Sequence, residues 1–297
     1  DGPLRRKYEA KGVTVQVWSP EHQSIELVAE GGKRSGSLSR NNETGVHSAT
    51  FDWLAAGDLY QFRIDGSDRL FPDPASRFQP QGPHGPSEVI DPSVFRWEHS
   101  SWNYPDPKGQ VIYELHIGTF TPEGTWRAAI AQLPYLKDLG ITMLEVMPVG
   151  DFPGAFGWGY DGVDLFAPTR LYGRPDDFRA FVDAAHGVGL TVILDVVYNH
   201  FGPDGNYLRS FSTTYFTDRY WNEWGEAINF DGENSAGVRS FFTENAAYWI
   251  REFRLDGFRF DATQSIHDFS SDHILAAIVR RAREEAGSRP IYLVGEN

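Results

Sequence analysis

From Gly12 to about Ile64, apolar and polar residues alternate in short runs, as in Val13-Thr14-Val15-Gln16-Val17-Trp18 and Ser24-Ile25-Glu26-Leu27-Val28. A period of two puts one face of each run on a core and the other in solvent, so these runs predict half-buried strands. Gly31-Gly32, Asn41-Asn42 and Ala56-Gly57-Asp58 separate them and favour chain reversal, through permissive backbone or side-chain-to-backbone hydrogen bonds. An antiparallel β-sandwich of roughly 90 residues follows, with Trp18 and Trp53 expected in its core.

Between Phe71 and Trp102 stand Pro72, Pro74, Pro80, Pro83, Pro86 and Pro92. Their density removes backbone donors and excludes both helix and central strand, so this stretch reads as a connector. Beyond it, short apolar runs alternate with helical periods. Val111 to His116, Thr142 to Met147, Leu190 to Val197, Leu255 to Phe260 and Ile291 to Val294 predict strands; Arg127 to Leu139, Pro175 to Val188, Ala236 to Phe253 and Ser271 to Ala286 predict helices. Such alternation means parallel strands with crossover helices. No Gly-rich phosphate turn follows an early strand, which favours a barrel over a doubly wound nucleotide-binding sheet. A (β/α)8 barrel takes eight strands in about 250 residues, and five are legible, so the chain reads as the front part of a longer protein. The expected fold class is α/β. Residues 1–95 form an N-terminal β-sandwich with its Pro-rich connector, and residues 96–297 form the N-terminal part of a TIM barrel with a short insertion at about 201–235.

Composition narrows the partners. A net charge of −14 opposes both phosphate backbones and anionic lipid, so neither nucleic acid nor a membrane surface is expected. The chain has no cysteine, which removes disulfides, thiolate metal sites and a cysteine nucleophile and fits a cytoplasmic protein. Asp1 to Lys7 is polar, with no apolar run of signal-peptide length, and no apolar run is long enough to span a bilayer. Aromatics make up 14% of the chain; most belong in cores, and a minority remain for a carbohydrate cleft.

Charged residues gather where the predicted strands end: Asp195 and His200 after the third, Arg259 and Asp261 at the fourth, Glu296 at the fifth. Barrel active sites are built at those carboxyl ends. Cleavage of a glycosidic bond with retention needs two carboxylates, one nucleophile and one acid/base, and Asp261 and Glu296 fit the pair. In Arg259-Phe260-Asp261 the strand period points Arg and Asp to one side, which favours the ionised carboxylate. A structural ion pair at a strand end is the competing reading of the same residues. Asp195 and His200 could serve as metal ligands and Asn199 as a calcium ligand, but no second His or Cys stands near at a zinc-like spacing. Neither a metal nor a cofactor is expected.

Three strings carry a resemblance. DVVYNH (Asp195–His200), GFRFDA (Gly257–Ala262) and GEN (Gly295–Asn297) are similar to the first three conserved motifs of the α-amylase superfamily, glycoside hydrolase family 13, in order and each at a strand end. GWGYDGVDLFAPT (Gly157–Thr169) resembles the family's early-barrel segment. FPDPASRFQPQGPHGPSEVID and YELHIGTFTPEGTW resemble its maltooligosyltrehalose trehalohydrolase branch. The resemblance implies Asp261 as nucleophile, Glu296 as general acid/base, Arg259 as orienting partner braced by Asp195, and His200, Tyr160 and Asp161 as substrate-binding residues. It also implies a third carboxylate near the seventh strand, past Asn297. The implied reaction is hydrolysis of the α-1,4 bond next to the terminal trehalose unit of a maltooligosyltrehalose. Glucan branching and non-catalytic glucan binding are the alternatives.

Overall fold

In the computed structural model, which describes residues 8–9, 12–102 and 106–297, the alternating segment becomes five antiparallel strands. They are β1 (Gly12–Trp18), β2 (Ile25–Ala29), β3 (Arg34–Arg40), β4 (Val46–Phe51) and β5 (Leu59–Ile64). The polar lead Asp1 to Lys7 lies outside the described residues. β3 changes partner midway: Arg34 to Leu38 pair with β2, whereas Ser39 and Arg40 pair with β4, so the sheet curls over its own face. β1 continues from β4, and β5 from β2. Val13, Val15, Val17, Ile25, Leu27, Phe51 and Phe62 point inward and form one core, as the period of two requires. The Pro-rich connector adds only Leu70–Phe71 and Ser87–Glu88, both paired to β5.

Five further strands form a wholly parallel sheet in chain order: β6 (Ile112–Leu115), β7 (Met143–Val146), β8 (Thr191–Val196), β9 (Gly257–Phe260) and β10 (Tyr292–Gly295). β8 is buried along its whole length, the burial that parallel strands under helices show. Gly257 opens β9 at φ 146°, and a Cβ there would stand 1.7 Å from the Tyr292 carbonyl oxygen of β10. Only glycine lets these two strands meet at that point.

Besides the single turns Ile117–Phe120 and Leu208–Phe211, the helices among the described residues are α1 (Trp126–Ile130), α2 (Leu133–Asp138), α3 (Pro175–Gly187), α4 (Ala236–Phe253) and α5 (Ile274–Ala286). The single helix expected from Arg127 to Leu139 is two, because Pro134 lacks an N–H and its ring would press on the carbonyl four residues back, that of Ile130. The helix expected from Ser271 starts at Ile274, whose N–H is accepted by Asp268 Oδ2 at 2.6 Å. A strand at Asp164–Pro168, paired with Gly150–Asp151, carries no alternation because all five of its residues are buried.

The curled sheet is fastened to the larger core. Trp18 at the end of β1 packs edge-on against Tyr215, with ring centroids 5.3 Å apart. A Cβ on Gly237, in the first turn of α4, would come within 2.1 Å of the Trp18 ring. Ser19 Oγ donates to the Phe211 carbonyl at 2.6 Å. Trp18 is therefore core, and Trp53 packs half-buried against the smaller core.

Candidate active site

The register of the parallel sheet fixes which side chains meet. Glu114 of β6 lies opposite Glu145 of β7, and Asp195 of β8 lies opposite Arg259 of β9. With a period of two, Glu145's register partner Ile193 shares a face with Asp195, and Arg259 shares it with Asp261. Charged side chains thus occupy a strand face that packing alone would fill with aliphatic residues.

Arg259 is the hub of this face. Its Nη1 donates to Asp195 Oδ2 at 2.8 Å and to Asp261 Oδ1 at 2.7 Å; its Nη2 lies 3.4 Å from Glu296 Oε2. Burial disfavours the Arg259 charge, but the Asp195 and Asp261 carboxylates outweigh it and hold the guanidinium protonated far above neutral pH. Asp195 is buried. Its Oδ2 also accepts from the Tyr160 hydroxyl at 2.8 Å, while its Oδ1 has no hydrogen-bond partner among the described residues. Burial pushes the Asp195 carboxyl up to about 7, against the pull of Arg259 and of the Tyr160 hydrogen bond.

Asp261 is held from both sides. Asn199 Nδ2 donates to its Oδ2 at 3.1 Å and to its carbonyl at 3.0 Å. Asn199 Oδ1 in turn lies 2.5 Å from His200 Nδ1. Asn222 Nδ2 donates to the Asn199 carbonyl at 2.6 Å, tying the loop after β8 to the site. Burial lowers the His200 pKa, so the imidazole is neutral near pH 7, while the Tyr160 main chain and the Asp161 carboxylate face it. The Glu296 side chain is 48% exposed, and its Oε2 accepts the Ala262 N–H at 2.8 Å. Ala262 sits at φ 44°, a left-handed conformation that a β-carbon disfavours; Glu296 holds it in place.

Six of the seven residues singled out from the sequence stand within this one network, and the exposed Asp161 lies outside its hydrogen bonds, facing His200. The sequence offered Asn199 only as a calcium ligand, and its amide instead clasps Asp261. Two more features were not read from the text. Glu145 Oε1 lies 4.0 Å from Arg259 Nε, and Phe156, Trp158, Trp221, Trp224 and Phe269 are exposed aromatic rings on loops. Trp221 is the neighbour of Asn222, and His267 hydrogen-bonds the Trp221 carbonyl at 3.1 Å. Asp195 and His200 do not stand together in any three-ligand group among the described residues. No described helix is long and apolar enough to cross a membrane.

Residues 100–246 match the family model of the α-amylase catalytic domain. This segment belongs to the α-amylase family. The chain is 46% identical over 272 residues to malto-oligosyltrehalose trehalohydrolase of Saccharolobus solfataricus, an alignment that covers 92% of this chain and 48% of that protein. It is 48% identical over 235 residues to the Deinococcus radiodurans protein of the same name, covering 79% of this chain and 38% of the relative. A solved structure from Salmonella typhimurium superposes with a TM-score of 0.93 at 42% identity, covering 99% of this chain and 50% of that one. The chain spans about half the length or less of these relatives.

Proposed function

We propose that the full-length protein carrying this chain hydrolyses the α-1,4 bond next to the terminal trehalose unit of a maltooligosyltrehalose, with retention. Glu296 gives its proton to the glycosidic oxygen as the bond to C1 breaks, and an Asp261 carboxylate oxygen forms the new bond to C1. Trehalose leaves. A water molecule then attacks C1 of the glycosyl ester, passes a proton to Glu296 and frees Asp261. Arg259 aims Asp261 through their 2.7 Å ion pair, Asp195 braces Arg259, and neutral His200 with Tyr160 and Asp161 binds the sugar at the cleavage point.

One observation carries this reading: a single guanidinium lies 2.7 Å from Asp261 and 3.4 Å from Glu296 at adjacent strand ends, which supports their acting as one carboxylate pair. The similarity to trehalohydrolases supports the choice of substrate, and the exposed rings near Asn222 suit stacking on sugar faces. On the same reading, β6 to β10 are the front of a (β/α)8 barrel spanning residues 96–297, interrupted by the insertion at 201–235, and residues 1–95 are a β-sandwich with its connector. The activity needs neither metal nor cofactor, involves no nucleic acid or membrane, and belongs in the cytoplasm.

The test is incubation of the full-length protein, and of Asp261→Asn, with maltooligosyltrehalose, followed by chromatography. Trehalose from the parent but not the variant supports the proposal. New branch points would move the activity to glucan branching, and binding without product would make this a glucan-binding module.

A further inference from the structure

Arg259 is contacted from below as well as from above. Glu145 Oε1 lies 4.0 Å from its Nε and opposite Glu114 in the register of β7 and β6; one carboxylate oxygen from each, and one from Asp195, all lie within 4.8 Å of one another. Within the cluster Asp195 is buried, Glu145 half-buried and Glu114 exposed, and the Asp195 Oδ1 atom has no hydrogen-bond partner among the described residues. Three carboxylates at this spacing repel, and the Arg259 guanidinium beside them already serves Asp195 and Asp261 with Nη1. Like-charged carboxyls held this closely relieve the repulsion by keeping a proton between them and titrating as a pair.

We propose that Glu145 is a positioning residue, sharing one proton with Glu114 and holding the Nε edge of Arg259 so that Nη1 stays on Asp195 and Asp261. The groups that face Glu145 are Glu114 from β6, Asp195 from β8 and Arg259 from β9, with Asp261 and Glu296 across the guanidinium. Burial, and then the Glu114 charge, raise the Glu145 carboxyl above its usual range, in keeping with a retained proton. The shared proton lets two acidic side chains sit under Arg259 without drawing it away from the nucleophile.

The inference rests on the proposed glycosidase site, so its test begins with a readout that needs no turnover. In the full-length protein, the carboxyl 13C resonance of Glu145 is followed against pH by NMR, in the parent and in Glu114→Gln. The Glu145 midpoint lies above the ordinary glutamate value of about 4.3 in the parent and falls by about one unit in the variant. An ordinary midpoint, or one that Glu114→Gln leaves unmoved, overturns the shared proton whatever the enzyme does. Rates of trehalose release then test positioning. Glu145→Ala lowers kcat about tenfold or more with KM nearly unchanged, and Glu145→Gln, which mimics the protonated side chain, restores most of it. Equal losses in both variants, or none in either, overturn the positioning role.

Discussion

Arg259 Nη1 lies 2.7 Å from Asp261 Oδ1, two residues along the same strand end, and the same nitrogen reaches Asp195 on the neighbouring strand. One donor group therefore fixes the direction of the proposed nucleophile, from a strand position that backbone pairing holds rigid.

Arg259→Lys keeps the positive charge but loses the planar fork that serves Asp195, Asp261 and Glu296 together. The expected outcome is a fall in kcat for trehalose release of roughly 100-fold, with the melting temperature lowered by only a few degrees. Steady-state kinetics alongside thermal unfolding check it; an unchanged kcat would mean that the fork does not orient Asp261.

Tyr160→Phe keeps the ring and removes one of the two hydrogen bonds to Asp195 Oδ2. Without the donor, the raised Asp195 carboxyl moves further up from about 7, so it takes up a proton at a higher pH and loosens its ion pair with Arg259 there. The predicted result is an activity profile whose acid limb shifts to higher pH, measured as kcat against pH.

Asp151 and Asp164, facing each other across the pair of strands that precedes β8, give a pH-dependent stability. Burial lifts Asp164 well above the carboxylate range, helped by the charges of Asp151 and Asp73, and burial lifts Asp151 to about 6 against the pull of Arg170. Both are raised in the fold, so folding takes up protons; their contribution is intact below about pH 4 and declines as pH climbs through 6, by about 3 kcal/mol for Asp151 alone. Asp164→Asn removes the Asp164 share of that penalty. Relative to the parent, its melting temperature rises between pH 5 and 8 and is close to equal at pH 4.

Gly257→Ala places a methyl group into the Tyr292 carbonyl at a φ that alanine disfavours. The neighbour is backbone and cannot turn aside, so the loss of stability is at least about 2 kcal/mol, readable by urea denaturation.

The sequence made legible whatever rests on a local period or a local breaker. The 18 residues of α4 fall where the 3.6-residue period put them, and the unbroken apolar run before Asp195 becomes β8. The motif residues are brought together because each follows a parallel strand, so their meeting required only the order of strands. Relations set by register stayed hidden: nothing in the text places Glu114 beside Glu145, or the Asn199 amide on Asp261. The split of α1 from α2 had a signal in Pro134, outweighed in the reading by the helical period around it. The strand Asp164–Pro168 had none, since full burial erases alternation.

The proposed mechanism has Asp261 form a covalent bond to the sugar. It is tested most directly by incubating the full-length protein with a 5-fluoro-α-glucosyl fluoride, which slows turnover of the ester, and locating the added mass by peptide mass spectrometry. One fluoroglucosyl group on the peptide containing Asp261, and none in Asp261→Asn, is the expected result. A label on any other residue, or trehalose release that inverts the anomeric configuration of the remaining glucan, would contradict it.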